Sequence, residues 1–467
     1  MSIWSLKPKT MGIICGTFVL RSAWKLSKDE PDVYWTLRDP PLGIEPVEKP
    51  GDVIVPIKKS SVHMVHHEQT QMDDIGKRRV IAFVGGLDLT FGRWDTPSHT
   101  LYRTLNNEHK SDYLHGWLLD KTYGPREPWH DIHGKFEGPI ARDIMTNFEQ
   151  RWRKQGKTHL PHFLTKEFIS VKEEEINTPD AWTCRLCRSI DPFSADIPIK
   201  ENGIQKAYIT AIRSAKRFIY MENQYFMGSA EHWLTDRNVK CLNLIPYEIA
   251  DRIATSIYND KPVVAYILLP LYPEGYPASA PIQEQLRWQW NTMCMMYDHI
   301  SSTLREKPAS FTGSRDPGDY LIFLCVGQRE RAEHSTAERN DPKVGSKEYV
   351  LSLSRRVPIY VHSKLMIVDD EYIILGSANI NERSMAGDRD SEICVEAWQS
   401  FAKDVEMPRG GVHKFRMSVW AEHTNESVTE HLFPNSPQCV SRVFIPFPLS
   451  FYNHLIFFFN PFLDSRT

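Results

Sequence analysis

The residues best suited to chemistry in this chain of 467 residues lie in one short run. Val361-His362-Ser363-Lys364-Leu365-Met366-Ile367-Val368-Asp369 is followed by Tyr372-Ile373-Ile374-Leu375-Gly376-Ser377-Ala378-Asn379. The two apolar stretches imply two strands joined by an acidic turn. Period-2 alternation places His362 and Lys364 on one face of the first strand and Ser363 on the other. An imidazole and an ammonium projecting together suit attack on a phosphodiester. Histidine can act as nucleophile or acid near neutral pH, and lysine neutralises the phosphoryl oxygens. Gly376 and Ser377 at the end of the second strand let backbone and hydroxyl approach a phosphate. At average residue usage the spacing H-x-K-x4-D-x6-G-S arises by chance in a chain this long on the order of once in a few thousand. A solvent-facing polar strand is therefore the poorer explanation.

These residues resemble the HKD signature of the phospholipase D superfamily, whose site is built from two such motifs. A second copy reads Met64-Val65-His66-His67-Glu68-Gln69-Thr70-Gln71-Met72-Asp73-Asp74. On the plant-type pattern His67 is its histidine, Asp74 its aspartate, and Gln69 stands where lysine is expected. The run Val80-Ile81-Ala82-Phe83-Val84-Gly85-Gly86-Leu87-Asp88-Leu89 supports that register, because it parallels the strand and Gly376-Ser377 turn of the other copy. A glutamine hydrogen-bonds phosphate without positive charge, and a charge-assisted bond is about twice as strong. Some transition-state stabilisation is expected to be lost.

Four further blocks, in order, are similar to the plant-type phospholipase D family: Phe91 to Pro97, Gly124 to His133, Ile219 to Phe226 and Phe415 to His423. The resemblance runs from about His66 to about Val443, some four-fifths of the chain. It implies a phospholipase D that hydrolyses the distal phosphodiester of a glycerophospholipid such as phosphatidylcholine, giving phosphatidic acid and the free head group. His67 would attack phosphorus and His362 would act as acid, with roles reversed when water, or a primary alcohol, resolves the phosphohistidine. Gln224 falls at a position that contacts the lipid phosphate, together with His67, His362, Lys364, Ser377 and Asn379. Asp74 and Asp369 complete the catalytic pattern, with Asp369 and Glu392 expected to hold local structure and orient a histidine. His99, His130 and Glu422 fall at positions assigned to calcium, although that ion prefers oxygen ligands. Three departures accompany the match: Gln69, a stretch before about residue 60 that does not resemble the family or its C2 domain, and a tail after about Val443 that leaves the pattern. They motivate a second reading, a catalytically weak lipid-binding relative. A third is another phosphodiesterase of the superfamily, such as a nuclease.

Positioning these residues requires a large scaffold, and the length suits two domains or one large α/β unit. Short β-rich runs alternate with helical patterns from Arg79 onward, among them Val80–Val84, Phe218–Met221, Val263–Leu269 and Tyr320–Val326. Such alternation favours an α/β architecture. Recurrence at Ile140, Ile144, Phe148 and Trp152 predicts a helix, as does that at Ile204, Tyr208, Ile212 and Ala215. The resemblance implies two similar halves, mixed β-sheets flanked by helices, sharing one cleft. The expected division is an atypical segment over 1–60, a first half over 61–200, a second over 201–442 and a hydrophobic tail over 443–467. Seven prolines in the first sixty residues favour extended segments and turns there. The charged stretch 328–346 reads as an exposed loop.

Lys plus Arg (56) nearly balances Asp plus Glu (59). No global positive field draws the chain to nucleic acid, which disfavours the nuclease reading, and contact with a phospholipid surface must be local. Eight scattered cysteines read as reduced thiols of a cytosolic protein. Cys184 and Cys187 have C-x-x-C spacing without the second pair that a structural zinc needs. The apolar run 11–20 lacks a good cleavage site. The tail from Val443 to Phe462 is interrupted too often for a bilayer helix and reads as a core strand with an irregular end, or as a surface anchor. The expected place is the cytoplasm, peripheral to a membrane.

Overall fold

Four central strands are apolar almost throughout, the pattern of strands covered on both faces. They are Phe218–Asn223, Val264–Leu268, Leu321–Arg329 and Lys364–Val368. The computed structural model describes residues 4–6, 13–15, 64–72, 78–88, 92–110, 112, 125–156, 182–276, 278–330, 343–398, 410–424, 429–444 and 454–459. Among them, eleven strands form one sheet in which the four lie side by side, Lys364–Val368 next to Phe218–Asn223, then Val264–Leu268, then Leu321–Arg329. The sheet is mixed. Val264–Leu268 is parallel to both neighbours, whereas Lys364–Val368 runs antiparallel to Phe218–Asn223 and to Tyr372–Gly376.

Alternation divides the core in two. Phe218 and Tyr220 point to one side with Leu365 and Ile367, while Ile219 and Met221 point to the other with Met366 and Val368. The second side is covered by helices Gly203–Ser214, Ile245–Tyr258 and Ala280–Glu306, through Ile204, Ile253 and Ile300 among others. The first is covered by Pro139–Gly156 and Gly411–Thr424, through Ile140, Ile144, Val412 and Val419. Both helices expected from fourth-residue periodicity are present. Cys184 and Cys187 fall on opposite sides of strand Trp182–Ile190, because an odd spacing reverses the side chain, so they cannot share a metal.

A smaller, fully antiparallel sheet has the order Ile13–Cys15, Ile132–Glu137, Arg78–Gly85, Met64–Met72. It carries the first motif, so the two copies sit in sheets of four and eleven strands. Trp182–Ile190, ahead of the boundary expected near residue 200, pairs with Glu392–Trp398 in the large sheet. The tail supplies a strand, His454–Phe459, paired with Leu321–Arg329. The loop 328–346 falls largely outside the described residues. No helix among them is long and apolar enough to cross a membrane.

Candidate active site

The strand that carries His362 is broken at that residue. Tyr360–Val361 leaves the large sheet to run parallel with Trp129–His130, and the ladder resumes at Lys364. The His362 amide donates to the His130 carbonyl at 2.8 Å, which anchors the detour. A single strand from 361 to 368 was expected. The break aims the imidazole at Asp131, whose Oδ2 lies 2.7 Å from His362 Nδ1. An ionised carboxylate only accepts, so Nδ1 carries a proton and Nε2 is the nitrogen left for chemistry. Burial alone would raise the Asp131 pKa, but His362 and Lys364 beside it hold it below the usual range. Its other oxygen accepts from the Ile132 amide at 2.8 Å. Residue 86 must be glycine here: a Cβ would lie 2.3 Å from Asp131 Oδ1 and 2.9 Å from the His362 carbonyl.

Nε2 of His362 lies 3.8 Å from Asp88 Oδ2. Lys364 Nζ donates to the His362 carbonyl and, at 3.1 Å, to Gln224 Oε1, whose amide donates to the Tyr360 hydroxyl at 2.9 Å. Lys364 thus joins the His362 backbone to Gln224 by hydrogen bonds. Burial lowers the Lys364 pKa to about 8, against the opposing pull of Asp131, so the ammonium persists at neutral pH. Trp129 forms a wall, its ring 5.0 Å from that of His362, with the Arg93 guanidinium 3.9 Å above it. Ser363 points the other way and donates to Glu222.

Asp369 requires a correction. It was expected to hold local structure and to orient a histidine, and it does only the first: its carboxylate accepts from the backbone amides of Lys216, Arg217 and Phe218 at 2.7 to 2.9 Å. It sits in the turn with φ of 55° at the far end of the strand, roughly 16 Å from Lys364 at strand rise. It caps the entry of Phe218–Asn223, and Asp131 orients His362 instead. Ser377 donates to Glu392 at 2.6 Å, as does Ser384 at 2.8 Å, and burial raises the Glu392 pKa to about 8. Asn379 follows in the same turn with its Oδ1 buried and lacking a partner among the described residues. Of the first motif the backbone alone is described: His67 lies opposite Val80 in strand Met64–Met72, and a register irregularity falls between His67 and Met72, where Gln69 sits. Asp74 lies outside the described residues.

His99, His130 and Glu422 come together although separated by up to 323 positions. Glu422 Oε1 lies 2.9 Å from His130 Nδ1 and 3.3 Å from His99 Nε2. The outer nitrogens are held by further carboxylates, His99 Nδ1 by Asp95 at 3.0 Å and His130 Nε2 by Glu222 at 2.8 Å. Burial would lower the His130 pKa, but Glu222 and Glu422 raise it well above the ordinary value. Glu222 was not expected from the sequence. It also accepts from Tyr220, Ser363 and His423, linking this cluster to the motif strand. Two imidazoles and one carboxylate do not fit calcium, which takes about six to eight oxygen ligands. Asp95, Asp131 and Glu222 are each committed to other partners.

The chain belongs to the phospholipase D family, whose model matches residues 48–446. It is 42% identical over 431 residues to phospholipase D alpha 1 of Nicotiana tabacum, covering 84% of this chain and 53% of that protein. It is 40% identical over 442 residues to phospholipase D gamma 3 of Arabidopsis thaliana, covering 83% and 51%. The chain thus spans about half the length of the curated relatives it matches. Among solved structures it is similar to the phosphatidylserine synthase of Haemophilus influenzae, with TM-score 0.30 and 10% identity over 58% of this chain and 51% of that one. That value is too low to bear on the fold.

Proposed function

We propose that this chain is a phosphodiesterase of glycerophospholipids, with phosphatidylcholine as a substrate and phosphatidic acid and the free head group as products. The observation that carries the reading is the His362–Asp131 pair beside Lys364, whose ammonium bonds both the His362 carbonyl and Gln224. His67 attacks phosphorus, and as the N–P bond forms the bond to the head-group oxygen breaks. His362 Nε2 gives that oxygen its proton. The same nitrogen then takes a proton from water, whose oxygen displaces His67 and releases phosphatidic acid. Asp131 keeps Nδ1 protonated through both steps and stabilises the imidazolium. Lys364 and the Gln224 amide hold the phosphoryl oxygens. A primary alcohol in place of water gives a phosphatidyl alcohol. The reading sets the protein at a phospholipid surface, which its relatives' names support, and in the cytoplasm, which its unpaired described cysteines support. No step uses calcium, because the cluster at His99 does not suit it.

The test is head-group release from phosphatidylcholine vesicles by the purified chain, with His362→Ala as control and ethanol in a parallel reaction. Release lost in the variant, with phosphatidylethanol formed by the parent, supports the reading. Gln69 in the lysine position favours one alternative, a lipid-binding relative that turns over little. A folded parent that binds vesicles without releasing head group would establish that alternative.

A further inference from the structure

We infer that His99, His130 and Glu422 form a site for a borderline divalent cation of the zinc type rather than for calcium. The three come from separate segments, yet their ligand atoms all lie within 4.8 Å of one another. Both histidines are almost wholly buried, at 1% and 2% exposure. Each turns one nitrogen outward to a buried carboxylate, His99 Nδ1 to Asp95 and His130 Nε2 to Glu222. That arrangement of carboxylate, histidine and cation is how proteins fix the tautomer and aim of a metal-ligating imidazole. The remaining nitrogens, Nε2 of His99 and Nδ1 of His130, converge on Glu422 Oε1 at 3.3 and 2.9 Å.

Ligand chemistry and size agree. Imidazole suits zinc and its neighbours, whereas calcium selects carboxylate, carbonyl and water oxygens. Two histidines and one glutamate with an open fourth side are a known set for zinc, at bond lengths of about 2.0–2.2 Å against about 2.3–2.6 Å for calcium. His99, His130 and Glu422 line a small pocket whose other walls include Thr96, Pro97 and Arg93, the last stacked on Trp129. A cation there would tie the turn at residue 99, the segment beside Asp131 and helix Gly411–Thr424 into one unit. Through His130 and Glu222 it also reaches Ser363, between His362 and Lys364.

Every readout of the test is metal binding, so its outcome is independent of the proposed lipid chemistry. The tag-free chain is stripped with chelator, shown to remain folded by near-ultraviolet circular dichroism, and titrated with cobalt(II) chloride. One equivalent is expected to give a visible ligand-field band that zinc chloride abolishes and millimolar calcium chloride leaves unchanged. Zinc-edge X-ray absorption on the unsubstituted chain should show two imidazole ligands. His99→Gln and Glu422→Gln are expected to weaken cobalt binding by at least about 100-fold. Because replacing a buried ligand can prevent folding, the competition on the parent chain decides. Displacement of cobalt by calcium, or a folded stripped parent that gives no band, overturns the inference.

Discussion

Replacing Asp131 with asparagine changes one atom in the pair that orients His362. The Ile132 amide holds Oδ1 at 2.8 Å, so the carbonyl of the new side chain stays there and its NH2 group faces His362 Nδ1. That nitrogen must then accept, the neutral ring carries its proton on Nε2, and the imidazolium loses its counter-charge. A hydrogen bond to a charged group contributes about 1.5–3 kcal/mol, and two unit charges near 4 Å attract by about 4 kcal/mol at an effective dielectric of 20. With both side chains at least nine-tenths buried, a loss of about 3–5 kcal/mol is expected, or ~10²–10⁴-fold in turnover. The assay is choline release from vesicles, run beside a substrate whose leaving group is nitrophenolate, which needs no proton. The variant should keep its initial burst of nitrophenol while steady turnover falls. Choline release within about threefold of the parent, or equal loss of the burst, refutes the orienting role of Asp131.

Three further substitutions probe other parts of the structure. Gln69→Lys restores the charge missing from the first motif and is expected to raise choline release by about 10-fold or more; an unchanged rate means that position 69 is not limiting. Glu392 has its pKa raised from 4.5 to about 8, so between those values the folded chain holds a proton that the unfolded chain has lost, and stability falls as pH rises through the window. Glu392→Gln should therefore raise the thermal midpoint by a few degrees at pH 8.5 and leave it unchanged near pH 4.5; equal effects at both values contradict the buried neutral acid. Asp370→Asn leaves the guanidinium of Arg416, fully buried and bound through Nε and Nη2, without its charge partner. A loss of about 3–5 kcal/mol in denaturant unfolding is expected, and under 1 kcal/mol would show the pair to be dispensable.

The helices at Ile140 and Ile204 were legible because one apolar face at fourth-residue spacing is a local property. Lys364 and Gln224 were legible through a motif and a family block. Asp131 was not singled out, although it sits inside the block Gly124 to His133, because a carboxylate 231 positions from its histidine leaves no local signal. Asp369 misled for the converse reason: proximity in the motif suggested a chemical partner, whereas a strand carries a residue away from its neighbours by about 3.3 Å per step. Glu222 looked like any acidic residue at a strand end, and only the meeting of His130, His423, Tyr220 and Ser363 around it reveals its role. The break at His362 was hidden because Tyr360 and Val361 are as suited to a strand as Leu365 and Met366.

The closeness of Gly86 and Asp131 to the His362 backbone also bears on the order of events during synthesis. Chains emerge from the ribosome at about 5–20 residues per second, so roughly 10–50 s separate the making of Asp131 from that of the histidine it must meet, 231 positions later. Throughout that interval Asp131 and Gly86 lack the strand they meet in the folded chain. A chaperone or an edge strand from another molecule could occupy that place first. The His362–Asp131 pair is thus a late acquisition of each molecule, and slower elongation ahead of residue 362 would lengthen the interval before it forms.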